Sequence, residues 1–269
     1  MGPLSIFLLA LTITVYAVAA LAHTAYLYSE EWNRAASWLI RLAVVFHTLA
    51  LIDLILETGH PPLTSLFDSV LFLTWVLMLN YALVDVFYRA KVAGLFLIPL
   101  SFIFLLGAVA VPRVSAEVPA FTGSRAFWHI TVSFLGYGMF TLSFIAAVMY
   151  LIQDKQLRDK EFRLIFYRLP SLEALDRAGS WMIKIGFPLL TVGIITGGLW
   201  ASVAWTKWAG EWKVIWSIFT WIIYGAYLTV RSVWGWRGRR AAYLSIAGFA
   251  AVVLNYFVIN LFMTRLHEF

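Results

Sequence analysis

Val92-Ala93-Gly94-Leu95-Phe96-Leu97-Ile98-Pro99-Leu100-Ser101-Phe102-Ile103-Phe104-Leu105-Leu106-Gly107-Ala108-Val109 sits between Lys91 and Arg113 without one charged side chain. A hydrocarbon core about 30 Å thick is crossed by roughly 20 apolar residues of α-helix, and this run has that length and composition. Working outward, the same test finds seven more: 4–28, 35–57, 66–88, 127–152, 181–204, 213–231 and 241–263, with 92–113 as the fourth in order. The expected fold is all-α, a polytopic bundle of about eight transmembrane helices forming a single domain over residues 1–269.

Composition agrees. Of the 269 residues, 62% are apolar and 13% charged, against about 25% charged in soluble domains. Too little charge is available to coat a water-facing surface, so most of the exterior must face lipid. Cysteine is absent, which excludes a disulfide, a thiolate metal site, a cysteine nucleophile and thioether attachment of haem to this chain. Met1 to Ser5 lacks a basic start and the first apolar run is long, features of a retained helix rather than a cleaved signal.

Basic residues set the orientation. With eight crossings, Arg34, Arg41, Arg89, Lys91 and the groups at 155–184 and 231–240 fall on one side, 15 in all, and Arg113, Arg125, Lys207, Lys213 and Arg265 on the other, accounting for all 20 Lys and Arg. The crowded side is expected to be cytoplasmic, which puts both termini outside. The net charge of +6 is thus explained by membrane orientation, and no nucleic-acid partner is expected. The longest connection, Gln153 to Ser180, contains Leu164-Ile165-Phe166-Tyr167, Leu169, Leu172 and Leu175, which suits a short helix on the membrane surface or a solvated connecting helix.

Five histidines carry most of the chemical information. His47 falls mid-membrane, where a hydrogen-bonded contact between helices is the favoured reading, and His23 lies toward the inner end of the first helix. His60, His129 and His267 are expected outside, on segments remote from one another in sequence. The outer loop between the sixth and seventh helices adds Trp200, Trp205, Trp208, Trp212 and Trp216. Imidazole is a common axial ligand of haem iron, and aromatic rings suit the flat faces of a porphyrin; the same tryptophans also suit an interfacial belt. Asp53, Glu57 and Asp85 form either a polar track or hydrated helix ends. Gly193, Gly197, Gly198 and Pro188 loosen the sixth helix or let a neighbour approach it closely.

Four stretches resemble the cytochrome c assembly family of membrane haem-handling proteins, particularly its short HemX-like and CcsA-like members. They are Thr58 to Ser69, with Gly59-His60-Pro61-Pro62 at its head; His129-Ile130-Thr131-Val132-Ser133-Phe134-Leu135-Gly136-Tyr137-Gly138; Gly198-Leu199-Trp200-Ala201 with Trp216, Thr220-Trp221 and Ala226-Tyr227-Leu228; and Asn255-Tyr256-Phe257 through Leu266-His267. The resemblance implies a non-covalent b-type haem near the outer face, with His129 and His267 as its iron ligands. Trp205, Trp208, Trp212 and Trp216 would lie beside it, and His60 nearby in a structural or supporting role. The tryptophan segment departs from the family's pattern, with Glu211 about where an aspartate is expected. Thr229 stands where larger family members have a further histidine. Both departures point to a HemX-type member rather than the synthase.

No nucleophile–base pair or metal-hydrolase spacing is present, so no catalysis by this chain alone is expected. The expectation is a haem-binding protein of the bacterial cytoplasmic membrane, with lipid, haem and cytochrome c assembly or haem-biosynthesis proteins as partners. Two alternatives stay open: a regulator of haem synthesis acting on the level of glutamyl-tRNA reductase through the basic inner loops, and a secondary transporter of an unrelated small molecule.

Overall fold

A computed structural model describes residues 2–63, 65–88, 91–110, 124–204 and 212–255. Regular structure among them is helical throughout: α1 (Pro3–Tyr28), α2 (Trp32–Thr58), α3 (Leu66–Tyr88), α4 (Lys91–Ala110), α5 (Ser124–Asp159), a single 3-10 turn (Leu164–Tyr167), α6 (Leu172–Ala204), α7 (Trp212–Val233) and α8 (Arg239–Val253). Among the described residues, seven helices are long and apolar enough to cross a bilayer. The chain is a multi-pass membrane protein with an all-helical fold. The described part of α8 has 15 residues; the rest of the expected eighth span lies outside the described residues, as does the expected end of the fourth.

Neither of the two readings of residues 153–180, a surface helix or a solvated connecting helix, appears as a separate α-helix. α5 continues to Asp159 and α6 begins at Leu172, which leaves only the 3-10 turn between them. Pro170 disfavours helix at the residue before it. Ser171 then opens α6, its hydroxyl accepting from the Ala174 N–H at 3.3 Å as an N-cap does.

The chain divides into two compact units, one of Met1–Phe127 with Phe162–Leu169, the other of Trp128–Glu161 with Pro170–Phe269. In the first, α1 and α2 pack along their lengths. Buried positions recur at steps of three and four: Ser5, Leu9, Thr12, Tyr16, Ala19 and His23 on α1; Ser37, Ile40, Val44, His47, Leu51 and Leu54 on α2. This is the spacing of an apolar seam, yet several of its members are polar. Thr12 bonds back to the Leu8 carbonyl of its own helix; the others bond neighbouring helices, because hydrocarbon offers no alternative partner. The Ser5 hydroxyl donates to Asp53 at 2.6 Å, and the Tyr16 hydroxyl and His47 Nδ1 are hydrogen-bonded at 3.1 Å. His23 Nε2 meets the Tyr81 hydroxyl of α3 at 3.0 Å. His47 is therefore the interhelical contact its position suggested. Asp85 is not a hydrated helix end: it is 6% exposed, accepts from Ser37 at 2.6 Å and lies 3.4 Å from the Lys91 ammonium.

The second unit is built around α5 and α6, with α7 and α8 beside them. Its core stacks Phe140 on Tyr224, ring centroids 3.7 Å apart and 8° from parallel. At one end Asp176, on the second turn of α6, ties three elements together. Its carboxylate accepts two bonds from the Arg231 guanidinium, at 3.0 and 2.5 Å, and a third from the Gly238 N–H at 2.9 Å. The fork of arginine matches a carboxylate as no ammonium can.

Asp176→Ala leaves the half-buried guanidinium and the Gly238 amide without their acceptor, a loss of about 3 kcal/mol. Thermal unfolding of the detergent-purified protein should show a clearly lower Tm, with a smaller drop for Arg231→Lys. An unchanged Tm for both would show that this carboxylate does not hold the helix ends.

Candidate functional site

His129 is the expected site residue that the structure describes most fully. It lies in the second turn of α5 and is half-buried. Its Nδ1 lies 2.8 Å from the Gly193 carbonyl oxygen on α6. A carbonyl only accepts, so Nδ1 carries the proton, and the lone pair of the neutral ring is on Nε2. A histidine that ligates a metal through one nitrogen commonly spends the other in this way. The Ser133 hydroxyl donates to the His129 carbonyl at 2.8 Å, and the Trp200 ring lies against the imidazole, centroids 5.9 Å apart and 29° from parallel.

The ring can occupy this place because α6 has no side chains there. A Cβ at Gly197 would collide with the imidazole, and one at Gly193 would fall 2.6 Å from Ser133 Oγ. Further along, a Cβ at Gly186 would meet Phe140, and Gly136 itself faces the Gly186 carbonyl and the Leu190 amide. The antiparallel register therefore pairs 129 with 197, 133 with 193 and 140 with 186. Small residues at such spacing let membrane helices approach closely, and this is the role the α6 glycines take. Sequence reasoning misses the Gly193 carbonyl and the Gly197 notch as site features. A signal is nevertheless present: Gly-x-x-x-Gly on one helix and His-x-x-x-Ser on another share the four-residue period that puts both pairs on facing stripes.

The remaining expected residues divide. His267, Trp205 and Trp208 lie outside the described residues. Trp212 opens α7, and its side chain also lies outside them. The Trp216 ring lies edge-on to Phe219 at 5.4 Å. His60 is in the other unit, its Nδ1 3.0 Å from the Pro61 carbonyl. Thr229 bonds back to the Gly225 carbonyl at 2.9 Å. Of the expected tryptophans, Trp200 is the one shown against His129. No cluster of three or more histidines and carboxylates that could hold a metal occurs among the described residues.

Asn255 completes this region of the unit. Its side-chain amide reaches Ser217 of α7 at 3.1 Å and the Tyr137 hydroxyl of α5 at 3.4 Å. It marks where the last described turn of α8 meets α5, about two turns of helix from His129.

The oriented imidazole and the Trp200 indole beside it lie within the stretch that matches a known family. The model of the family described as Cytochrome C assembly protein matches residues 63–267. The chain belongs to this family. A protein named Cytochrome c biogenesis protein CcsA from Guillardia theta is 32% identical over 249 residues, covering 85% of this chain and 83% of that protein. Its namesake from Trieres chinensis is 28% identical over 295 residues, covering 95% of each. One from Gloeobacter violaceus is 28% identical over 273 residues, covering 80% of each. These relatives carry the CcsA name, and the preference for a HemX-type member draws no support from them.

The α5–α6 register gives a double-mutant test. Gly193→Ala brings a methyl group onto Ser133 Oγ and should destabilise the protein by about 1–3 kcal/mol. Ser133→Ala removes the obstacle and leaves a Cβ–Cβ distance of 3.5 Å, an ordinary contact. The double variant should recover most of the Tm lost by Gly193→Ala; additive losses would mean the two helices are not registered this way.

Proposed function

We propose that this protein handles haem for cytochrome c assembly, holding it non-covalently near the extracytoplasmic end of its second unit. His129 Nε2 and His267 would be the residues that ligate its iron. The observation that carries this reading is the bond from His129 to the Gly193 carbonyl, which leaves the other ring nitrogen ready to ligate. The family supports it, as does the name of the relatives, Cytochrome c biogenesis protein.

The residues present fit such a group. A six-coordinate haem needs a neutral imidazole held against rotation, and His129 is held by a carbonyl, a notch and an indole. It needs apolar and aromatic cover for the porphyrin faces, which Trp205, Trp208, Trp212 and Trp216 would provide together with Trp200. The second ligand is within reach of the chain. Asn255 is level with Tyr137, and eight residues of α5 separate Tyr137 from His129, about 12 Å of helix. Twelve residues separate Asn255 from His267 and would span about 18 Å in the same geometry, enough to carry a second imidazole past the level of the first.

Haem supplies the iron and the porphyrin that a cytochrome c receives. This chain's part is to bind, orient and release: the Gly193 carbonyl fixes the tautomer, Gly197 leaves room for the ring and Trp200 limits its swing. The distribution of basic residues supports an extracytoplasmic position for this end. We assign the protein to the bacterial cytoplasmic membrane, with other cytochrome c assembly proteins as its partners. His60 is assigned a supporting role.

Protein purified from haem-replete cells should show a Soret band, and His129→Ala with His267→Ala should abolish it. Gly197→Val, which displaces the ring without deleting it, should weaken haem retention and alter the spectrum while His129 remains. A folded wild-type protein that neither carries haem nor binds it on titration would refute the reading.

A further inference from the structure

The end of the second unit opposite His129 carries a cationic, aromatic loop that the haem reading does not use. Residues 234–238 connect α7 to α8 as Trp-Gly-Trp-Arg-Gly, and α8 opens with Arg239 and Arg240. The loop is held in place. Trp234 N–H and Trp236 N–H both reach the Val230 carbonyl, at 3.1 and 3.2 Å, and the Gly238 N–H is bonded to Asp176. Gly235 and Gly238 adopt φ +65°, a left-handed conformation suited to glycine.

Its charges are unbalanced. Asp176 is taken by Arg231, and Asp154 faces Arg158 and Arg239 at 3.2 and 3.4 Å. Arg237 and Arg240 are exposed; Arg237 adds to the positive field at Asp176, whose carboxylate is already bonded by Arg231. No acidic residue occurs between Glu211 and Glu268. The Arg240 guanidinium lies over the Trp236 ring, 5.6 Å from its centroid, an arrangement that leaves its N–H edge open to bond an anion.

The loop also ends an apolar path. Ile218, Ile222, Ala226, Thr229 and Val233 follow one another at steps of three and four along the exposed side of α7. The path finishes at Val233 and Trp234, 68% and 66% exposed. α7 is long and apolar enough to cross a bilayer, so its exposed stripe faces acyl chains up to the level of the arginines. A phospholipid matches both parts: acyl chains against the stripe, headgroup phosphate at the arginines, with indole at the headgroup level where it is favoured.

We propose that the α7–α8 loop is a binding site for an anionic phospholipid of the cytoplasmic leaflet, its phosphate held by Arg237 and Arg240 and its chains lying along α7. The site anchors the end of the bundle opposite the haem ligand and does not depend on haem being bound.

The test is lipid retention by the whole protein, measured by native mass spectrometry after reconstitution into nanodiscs of phosphatidylcholine with phosphatidylglycerol. Wild type should retain phosphatidylglycerol over phosphatidylcholine. A basic residue near an anionic surface is worth about fivefold in affinity, so Arg237→Gln with Arg240→Gln should cost roughly 25-fold. Arg158→Gln, which removes an arginine already paired with Asp154, should keep the preference. Soluble glycerol phosphate should not displace the lipid, because it lacks the chains that α7 receives. The proposal fails if wild type shows no preference, if the double variant binds like wild type, if Arg158→Gln loses as much, if glycerol phosphate competes fully, or if only an acidic soluble protein binds the loop.

Discussion

Hydrocarbon contains no hydrogen-bond partners, so a polar group that this chain carries into the bilayer is costly unless it finds a partner within the protein. For the backbone the answer is helix, each carbonyl taken by an amide four residues on. For side chains the answer depends on where helices meet. Ser5 reaches Asp53, Tyr16 reaches His47 and His23 reaches Tyr81. Each bond links two helices through a point where an unpartnered group would be costly, so the polar residues of the first unit act as registration marks along an otherwise apolar seam.

The second unit solves the same problem with backbone. Glycines along α6 bring its main chain close enough to α5 for a carbonyl to serve as the partner of an α5 side chain. Gly179 accepts from Ser143 at 3.0 Å and Gly193 bonds His129. Close approach and hydrogen bonding are therefore one feature, since a Cβ at Gly197 would displace the imidazole that the Gly193 carbonyl holds. A ligand histidine gains from this arrangement. Its tautomer is set by a group that cannot rotate away, and its reactive nitrogen is directed away from that carbonyl.

The two ends of the second unit differ. One presents an oriented imidazole and an indole. The other is closed by an ion pair between Asp176 and Arg231 that pins the start of α8, and it carries a cationic loop.

Much of the fold was legible in the sequence because the membrane imposes one dominant rule. Apolar runs about 20 residues long must be helices, and apart from the end of α5 and the start of α6 the observed helices begin and end near the expected positions wherever both are described. The extension of α5 to Asp159 and the early start of α6 were not legible, because polar residues at helix ends look the same in a loop and in a helix that projects beyond the lipid. His129 was legible through its place at the head of an apolar helix and its family resemblance. Composition and order along the chain thus determined that the protein spans a membrane several times as helices and which imidazole leads α5. Tertiary structure alone decided what that imidazole is bonded to, because the Gly193 carbonyl lies 64 residues away and only the packing of α6 against α5 brings the two together.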